Sequence, residues 1–336
     1  MKATRIFAYS VATLWLLALF GSASAADDFP GKQIQVIVPS GPGGGMDRMV
    51  RQVAPFVEKR LGTNLVVKNI EGGAFAVGTV SAYQAAADCK TLLSTYEPQH
   101  ALTYLVQSVP YDGDSFMPIA SLVKADTIIY VKNEARWKTL KDLIDDARAN
   151  PGKIRLGAST AADPGYFAAK ALEKATGVQF NLIAYNGGTA FRNAFRGGEV
   201  DVASNDTFAS VGFKGEVRIL AAFTGSKDPL LAGRNPLTGE DVPSVNSELG
   251  VDIKASFSTS GAMYVKKGCF TDHPDRYKLL MKAILEASSD PGYKEVLQKV
   301  GEDGKIFAIP GPEYEKLDKA ELSALLPVLR ELGISK

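Results

Sequence analysis

Glycines at 41, 43, 44 and 45 are the residues of this chain whose spacing points most directly to chemistry. They follow a strand-like run at 34–38 and precede a helix predicted over 46–60. Glycine carries no side chain, so a ligand can approach the backbone closely. The first N–H groups of the helix lack intrahelical acceptors and lie at the positive end of its dipole. The sequence therefore predicts an anion-binding corner at 41–47.

Two nucleotide-binding motifs use a similar corner, and neither matches this one. A P-loop requires a Lys and a Ser or Thr after its last glycine, whereas Gly45 is followed by Met46 and Asp47. A dinucleotide fingerprint places a third glycine where Met46 stands, because that glycine lets the helix pack closely on the strand. A glycine-rich turn that binds no ligand is the remaining alternative for this loop.

Two later segments, 157–163 and 185–189, repeat the order of strand, small-residue loop and helix. Ligands of open α/β sheets bind at the carboxyl ends of the strands. Two facing lobes would therefore direct several helix N-termini into one cleft, which could hold an acid at about micromolar affinity. Arg48, Arg51 and Arg192 could also pair with a carboxylate, but their helix positions favour solvent-facing or structural ion pairs.

Asp47 and Asp206 are the carboxylates that a catalytic site could use as an acid and a base. No G-x-S-x-G nucleophile motif accompanies them. Asp47 also suits a stabilising position at the N-terminus of its helix. His100 and His273 show no local partner that suggests a catalytic triad. We therefore expect a protein that is not an enzyme.

Cys89 and Cys269 are the two cysteines of the chain, and their spacing is not that of metal ligands. With two histidines besides, we expect neither a metal site nor a cofactor. In an oxidising compartment the cysteines could form one disulfide. Two buried, unpaired thiols are the alternative, and the sequence leaves both open.

The N-terminus indicates export. Lys2 and Arg5 precede an apolar stretch at 11–20, and small residues lead up to Ala25. This order predicts a signal peptide over 1–25 that is cleaved after Ala25, and a mature protein in the periplasm. The chain has 38 Lys and Arg against 37 Asp and Glu, which provides no electrostatic footprint for nucleic acid.

Strand and helix patterns alternate along the mature chain, which is typical of a mostly parallel sheet flanked by helices. Thr139 and Asp142 form the pattern of a capping box at the start of one helix. Asp163 followed by Pro164 predicts the start of another helix. From 274 onward the pattern is mostly helical.

Five segments together resemble one family. They are FPGKQIQVIVPSGPGGGMD at 29–47, EGGAFAVG at 71–78, ARANPGKIRLGAST at 147–160, IAYNGGTAFRNAFRGGEVDV at 183–202 and DVPSVNSELG at 241–250. In this order, across nearly the whole mature chain, they resemble the extracytoplasmic solute receptors of tripartite tricarboxylate transporters, the Bug or TctC-like family. The resemblance implies a two-lobed periplasmic binding protein of the type II-like α/β class, whose lobes are joined by two crossing strands.

The resemblance also implies how a ligand is held. Family members bind a carboxylate mainly with backbone amides, small hydroxyls and bridging waters. Carried over by position, the contacts in the first lobe are Ser40, Pro42, Gly43, Gly44, Asp47, Gly73, Ala74 and Phe75. Those in the second lobe are Ser159, Thr160, Gly187, Gly188, Asn205 and Asp206.

The chain departs from the family pattern at several of these positions. Tyr166 stands where the family often has a histidine, and Ala74 and Phe75 replace a pair of glycines. Tyr96 and Phe75 add bulk near the mouth of the cleft. Because aromatic rings can stack on a planar ligand, an aromatic or heterocyclic acid is a candidate besides a dicarboxylic acid. Packing of these rings between helices is the alternative.

The family pattern and the strand order predict a first lobe at 28–126 plus 256–336 and a second lobe at 127–255. We expect a monomer that captures a small carboxylate and delivers it to the separate chains of an integral membrane permease. An adaptor that presents the bound solute to a membrane signalling protein is one alternative. An exported enzyme is the other.

Overall fold

The computed structural model describes residues 29–207, 210, 212–213, 215–223, 242–255 and 257–333. The predicted signal peptide and its cleavage site after Ala25 lie outside the described residues, and so does Ser256, where the predicted return to the first lobe begins. None of the described helices combines the length and the apolar character needed to cross a membrane.

The first of two sheets has five strands in the order β2-β1-β3-β10-β4. Its strands are β1 (Gln33–Val38), β2 (Asn64–Asn69), β3 (Thr91–Glu97), β4 (Phe116–Ala125) and β10 (Thr259–Lys266). Strand β1 pairs in parallel with β2 and β3, whereas β10 is antiparallel to both β3 and β4. Four strands therefore run in one direction, and the returning strand β10 runs against them.

The second sheet also has five strands, in the order β7-β6-β8-β5-β9. Its strands are β5 (Thr127–Lys132), β6 (Arg155–Ala158), β7 (Asn181–Ala184), β8 (Val202–Asp206) and β9 (Val217–Ala222). Strand β6 is parallel to β7 and β8, and β5 is antiparallel to β8 and β9. One strand again opposes the other four, so the prediction of mostly parallel sheets is confirmed for both lobes.

Helices cover both sheets. They are α1 (Gly45–Leu61), α2 (Ala76–Gln84), α3 (Gln99–Val106), α4 (Leu140–Ala149), α5 (Pro164–Thr176), α6 (Gly188–Gly197), α7 (Val245–Leu249), α8 (Lys267–Asp272), α9 (Pro274–Ser288), α10 (Pro291–Val300) and α11 (Gly311–Glu331). The capping box of Thr139 and Asp142 is confirmed, and Asp163 caps α5 as predicted. Helix α3 is not among the predicted helices, because its apolar residues extend over only two turns.

Each lobe has its own core. Ile34 of β1, Val50 of α1 and Leu280 of α9 belong to one buried cluster. The second lobe buries a separate cluster between its sheet and helices α4 and α5. Helix α11 packs on β4 and also places Leu325 and Leu329 in the core of the second lobe. The last helix therefore contacts both halves of the molecule.

Two crossings connect the lobes where β4 leads into β5 and where the chain returns to β10. Thr127 Oγ1 donates to the carbonyl oxygen of Phe257, which ties the two crossings together. The N–H of Thr207 donates to Asp126 O at 3.1 Å. The exact boundaries of the lobes stay a prediction, because α11 packs on both.

A disulfide joins Cys89 and Cys269, which decides between the alternatives that the sequence left open. The bridge links the loop before β3 to α8, two segments separated by 180 residues. Cross-linking so distant positions restricts the unfolded chain strongly, by about 2–5 kcal/mol in typical proteins.

We expect the double variant Cys89→Ala/Cys269→Ala to lose about 2–5 kcal/mol of unfolding free energy, because the unfolded chain regains the freedom that the bridge removes. Denaturant unfolding monitored by circular dichroism measures this loss. A reducing agent should shift the unfolding midpoint of the wild type and leave that of the double variant in place. Equal midpoints for the oxidised wild type and the double variant would contradict the stabilising role of the bridge.

Candidate functional site

A cavity of about 40 Å³ lies between the two lobes. The loops that line it follow β1, β3, β6, β7 and β8, which is where the parallel strands of both sheets end. Its walls are formed by Ser40, Gly41, Gly44, Gly45, Met46, Phe75, Tyr96, Gln99, Ser159, Asp163, Gly188, Thr189, Arg192, Asn205 and Asp206. The position agrees with the rule that ligands of open α/β sheets bind at the carboxyl ends of strands.

The glycine loop of the first lobe is held by Asp47. The Asp47 carboxylate accepts the N–H of Gly43 at 2.8 Å, Arg51 Nε at 2.9 Å and Asn69 Nδ2 at 3.0 Å. Gly43 has a φ of +73°, a conformation that glycine adopts without strain. The loop is therefore fixed from behind, and the N-terminus of α1 faces the cavity with no side-chain cap.

The close approach of Tyr96 explains why the first residue of α1 is a glycine, Gly45. A Cβ atom at this position would lie 2.8 Å from the hydroxyl oxygen of Tyr96. The absence of a side chain lets the tyrosine lie against the first turn of the helix. Burial, together with the negative charge of Asp206, raises the pKa of Tyr96 well above its usual value, so the ring stays neutral.

In the second lobe, Asp163 organises the corresponding corner. Its carboxylate accepts the hydroxyl of Ser159 and the N–H of Gly165, the latter at 2.7 Å. Gly165 is required here, because a Cβ atom would lie 2.1 Å from the carbonyl oxygen of Ser204. These contacts place the Asp163 carboxylate at the entrance of α5 and on the wall of the cavity.

The lobes touch across the cavity, so the structure is a closed form. Arg192 donates from its guanidinium to the carbonyl oxygen of Gly43 at 2.8 Å. Thr189 Oγ1 donates to Pro42 O at 3.3 Å. Both donors belong to α6 of the second lobe, and both acceptors belong to the glycine loop of the first.

Three buried polar atoms on the cavity wall have no hydrogen-bond partner among the described residues. They are Ser40 Oγ, Gln99 Oε1 and Asn205 Nδ2. Their residues are 7 %, 1 % and 2 % exposed, respectively. An unsatisfied buried polar group costs about 1–3 kcal/mol. A ligand in the cavity would supply the missing partners.

Asp163 has an unusual charge environment. Burial raises the pKa of its carboxyl from 3.8 to about 7, partly opposed by the Ser159 hydroxyl and reinforced by the charge of Asp206. Within the part of the chain that the structure describes, no lysine or arginine forms an ion pair with Asp163. Burial, together with the charge of Arg48, lowers the pKa of Arg192.

Half of the contacts predicted from the sequence line the cavity. They are Ser40, Gly44, Phe75, Tyr96, Ser159, Gly188, Asn205 and Asp206. The other half are not among the residues that line the cavity. They are Pro42, Gly43, Asp47, Gly73, Ala74, Thr160, Tyr166 and Gly187. Asp47 braces the glycine loop, as its position at the helix N-terminus predicted, so the suggested pair of Asp47 and Asp206 does not meet in the cavity.

The remaining predicted residues also have structural contacts. Ala74 O accepts a hydrogen bond from Thr103 Oγ1 at 3.2 Å. The N–H of Gly187 donates to Ser159 O at 2.9 Å, which ties two cavity loops together. The Tyr166 ring packs against Phe167. These contacts shape the loops that carry the wall.

Seven wall residues are not among the contacts carried over from the family, namely Gly41, Gly45, Met46, Gln99, Asp163, Thr189 and Arg192. Four of them lie in the predicted corners at 41–47 and 185–189. The sequence names Arg192 as an arginine that could pair with a carboxylate, and in the structure it donates to Gly43 O. Asp163 is predicted as a helix cap, but a cap and a ligand contact use the same carboxylate. Gln99 begins a helix that the pattern does not predict.

The wall suits binding better than metal or redox chemistry. Among the described residues, no group of three or more His, Cys, Asp or Glu side chains could hold a metal ion. His100 is buried away from the wall, and its Nδ1 lies 2.8 Å from Glu97 Oε1. The wall carries hydroxyl and side-chain amide groups, such as those of Ser40, Ser159 and Asn205, and groups of this kind orient a small ligand.

Comparison with known proteins places the chain in a family. Residues 49–334 match the family described as "Tripartite tricarboxylate transporter family receptor". A curated protein of Bordetella pertussis, from the group named UPF0065, is 26% identical over 328 residues, which cover 96% of this chain and 96% of that protein.

Solved structures share the fold. The periplasmic binding protein BugD has a TM-score of 0.76 at 20% identity, over 92% of this chain and 100% of its own. A protein of R. palustris that was solved with adipate has a TM-score of 0.75 at 20% identity, over 92% of this chain and 99% of its own. The two-lobed architecture of periplasmic binding proteins is thereby confirmed.

The raised pKa of Asp163 predicts a pH-dependent stability. Between about pH 4 and pH 7, the folded protein holds a proton on Asp163 that the unfolded chain releases, so the free energy of unfolding falls as pH rises. We expect Asp163→Asn to be more stable than the wild type at pH 8, by about 1–4 kcal/mol, and similar to it at pH 4. Thermal unfolding of the ligand-free proteins at both pH values measures the difference.

Asp290→Asn is a matched control for this variant, because both aspartates cap a helix in the same sequence, Asp-Pro-Gly-Tyr. Asn is also a good N-cap residue, so capping is preserved in both variants. Asp290 lies outside the cavity and pairs with Arg60. A gain in stability at pH 8 that is equal in both variants would contradict the assignment to buried charge at Asp163.

Proposed function

Because the chain belongs to the tripartite tricarboxylate transporter receptor family, we propose that it captures a small carboxylate in the cavity between its lobes and delivers it to a membrane permease. Membership makes the chain a periplasmic solute-binding receptor. The choice of a carboxylate, the residues that hold it and the permease are the parts that we propose.

One observation carries the proposal. Ser40 Oγ and Asn205 Nδ2 are buried donors without described partners, and they lie on opposite lobes of one closed cavity. The uncapped N-terminus of α1 opens onto the same space. A carboxylate has two oxygens that together accept several hydrogen bonds, so it can satisfy donors from both lobes at once.

The wall explains how the protein can bind an acid without a dedicated cation. Hydrogen bonds from neutral donors to a carboxylate are charge-assisted, and they contribute about 1.5–3 kcal/mol each. The positive end of a helix dipole adds about 0.3–1 kcal/mol. With the two donors Ser40 and Asn205 the sum is about 3–7 kcal/mol, which corresponds to binding from the millimolar range to about 10 µM.

Ligand binding and lobe closure are coupled in this geometry. A solute that touches Ser40 and Asn205 bridges the lobes, so it binds the closed form more tightly than the open form. This differential affinity supplies the free energy of closure. Thr189 and Arg192 make their contacts with the glycine loop in the closed form, and these contacts would release when the lobes separate.

The relative solved with adipate supports a carboxylate ligand, because that protein shares the fold over nearly the whole chain. The family description, which names a transporter receptor, supports delivery to a permease. In this proposal the closed, loaded form docks on the permease. Deletion of the gene should then abolish uptake of the solute that binds, and unchanged uptake would contradict the transport role.

A melting-shift screen of the wild type tests the ligand class. Succinate, malate, adipate, citrate, benzoate and glutamate, each at millimolar concentration, are the probes. A ligand at about 100 times its Kd stabilises the folded state by about 2.7 kcal/mol. We expect at least one of these acids to raise the melting temperature by several degrees. The absence of any shift would contradict the proposal.

Asn205→Asp tests the site. The change keeps the Oδ1 that accepts the N–H of Asp206 at 2.7 Å and replaces the Nδ2 donor by a charged acceptor. We expect binding of the acid found in the screen to weaken at least tenfold by calorimetry, because a carboxylate would then face a carboxylate. Asn181→Asp, at an exposed position on the same lobe, makes the same change of charge and should bind as the wild type does.

A further inference from the structure

The wall of the cavity carries hydrogen-bond acceptors that a solute with carboxylate groups alone could not satisfy. The carboxylates of Asp163 and Asp206 line it, and so does the unpartnered Oε1 of Gln99. The Gln99 oxygen requires a hydrogen-bond donor, and the Asp163 carboxylate favours a donor or a positive charge. A solute that consisted of carboxylates alone would offer neither.

The carboxylates of Asp163 and Asp206 differ in whether a positively charged side chain of the protein offsets their charge. Burial lowers the pKa of Lys305 and of Arg192, and the negative charge of Asp206 opposes this lowering in both residues. Asp206 therefore has cations of the protein near it. Asp163 is 2 % exposed and forms no ion pair with a lysine or arginine of the described chain. Asp163 is therefore the group on the wall that lacks a positive counterpart.

The hydrogen bonds of Asp163 favour its charged form once a cation is near. Ser159 Oγ and the N–H of Gly165 donate to this carboxylate. Donors of this kind stabilise a carboxylate and oppose its protonation. An arriving positive group would remove the remaining cost of burial, so the carboxylate is prepared to accept it.

Gln99 lies on the same wall and is 1 % exposed. Its Oε1 is a buried acceptor that has no partner among the described residues. The carbonyl oxygen therefore requires a donor from a ligand. Gln99 and Asp163 come from opposite lobes, so a group that binds both of them also closes the cleft.

We propose that the solute is a zwitterion, a small acid that carries a protonated nitrogen next to its carboxylate. The carboxylate lies on the donors Ser40 and Asn205 and on the N-terminus of α1. The protonated nitrogen lies against Asp163 and Gln99 Oε1, with Asp206 close by. This inference rests on the proposed function and narrows it from acids in general to amino acids and similar compounds.

The alternative within the same site is a dicarboxylate. Its second carboxylate would enter a wall that already holds two carboxylates and one arginine, Arg192, whose guanidinium donates to Gly43 O. Like charges at close range oppose such binding. An α-amino group replaces this repulsion by attraction and provides up to three N–H donors.

Matched pairs of probes test the proposal by calorimetry at pH 7.5. The pairs are aspartate with succinate, glutamate with glutarate and 2-aminoadipate with adipate. In the wild type we expect the amine-bearing member of at least one pair to bind about tenfold or more tightly than its partner. A gain of this size is what one hydrogen bond to a charged group contributes. The comparison is made within the wild type, so it does not depend on the folding of any variant.

Asp163→Asn then identifies the contact. We expect this variant to lose at least tenfold in affinity for the amine-bearing probe while its affinity for the other member stays equal or increases. Asp290→Asn should keep the wild-type ratio. A ratio that is unchanged in Asp163→Asn would overturn the assignment of the nitrogen to this residue.

The outcomes separate this inference from the proposed function. Equal or tighter binding of the amine-free acids would overturn the zwitterion and leave the carboxylate receptor standing. If neither member of any pair binds, both the inference and the proposed function fail. Selective binding of an amine-bearing member supports both.

Discussion

Polar atoms that are buried between two lobes without protein partners are the constraint on which this structure depends. Ser40, Gln99 and Asn205 each leave one such atom on the wall of the cleft. Water can satisfy these atoms when the lobes are apart, but closure removes most of that water. A closed form is therefore stable only when a ligand of complementary chemistry replaces it. The same unsatisfied polar atoms therefore determine both which ligand binds and whether the lobes close.

The rest of the fold keeps the wall groups in place. Asp47 holds the glycine loop from behind, and Asp163 holds the second-lobe corner by capping α5. The disulfide lies away from the cleft and stabilises the first lobe, whereas the long helix α11 packs on both lobes. Three of the unsatisfied buried atoms lie on the cavity wall between the lobes. A buried carboxylate without a cation, as at Asp163, lowers stability in exchange for ligand recognition.

Much of the fold could be predicted from the sequence, because local signals carry it. The alternation of strands and helices, the capping box at Thr139 and the start of α5 at Asp163 all depend on neighbouring residues. The glycine loop was also recognisable, since a run of glycines between a strand and a helix has few other uses. The sequence pattern does not predict helix α3, because its apolar residues extend over only two turns. Packing in the folded protein, and not local propensity, stabilises this helix.

By itself, the sequence determined the class of the protein, the order of its elements and the loops that carry the site. Backbone donors at helix N-termini depend on local geometry, which glycine, proline and capping residues encode over a few positions. Only the tertiary structure decided that Cys89 and Cys269 pair, that Gln99 and Asp163 line the same cleft, and that Asp47 supports the loop from behind. Those facts depend on side chains that are far apart in the chain and on the direction in which each one points, and neither is encoded by spacing.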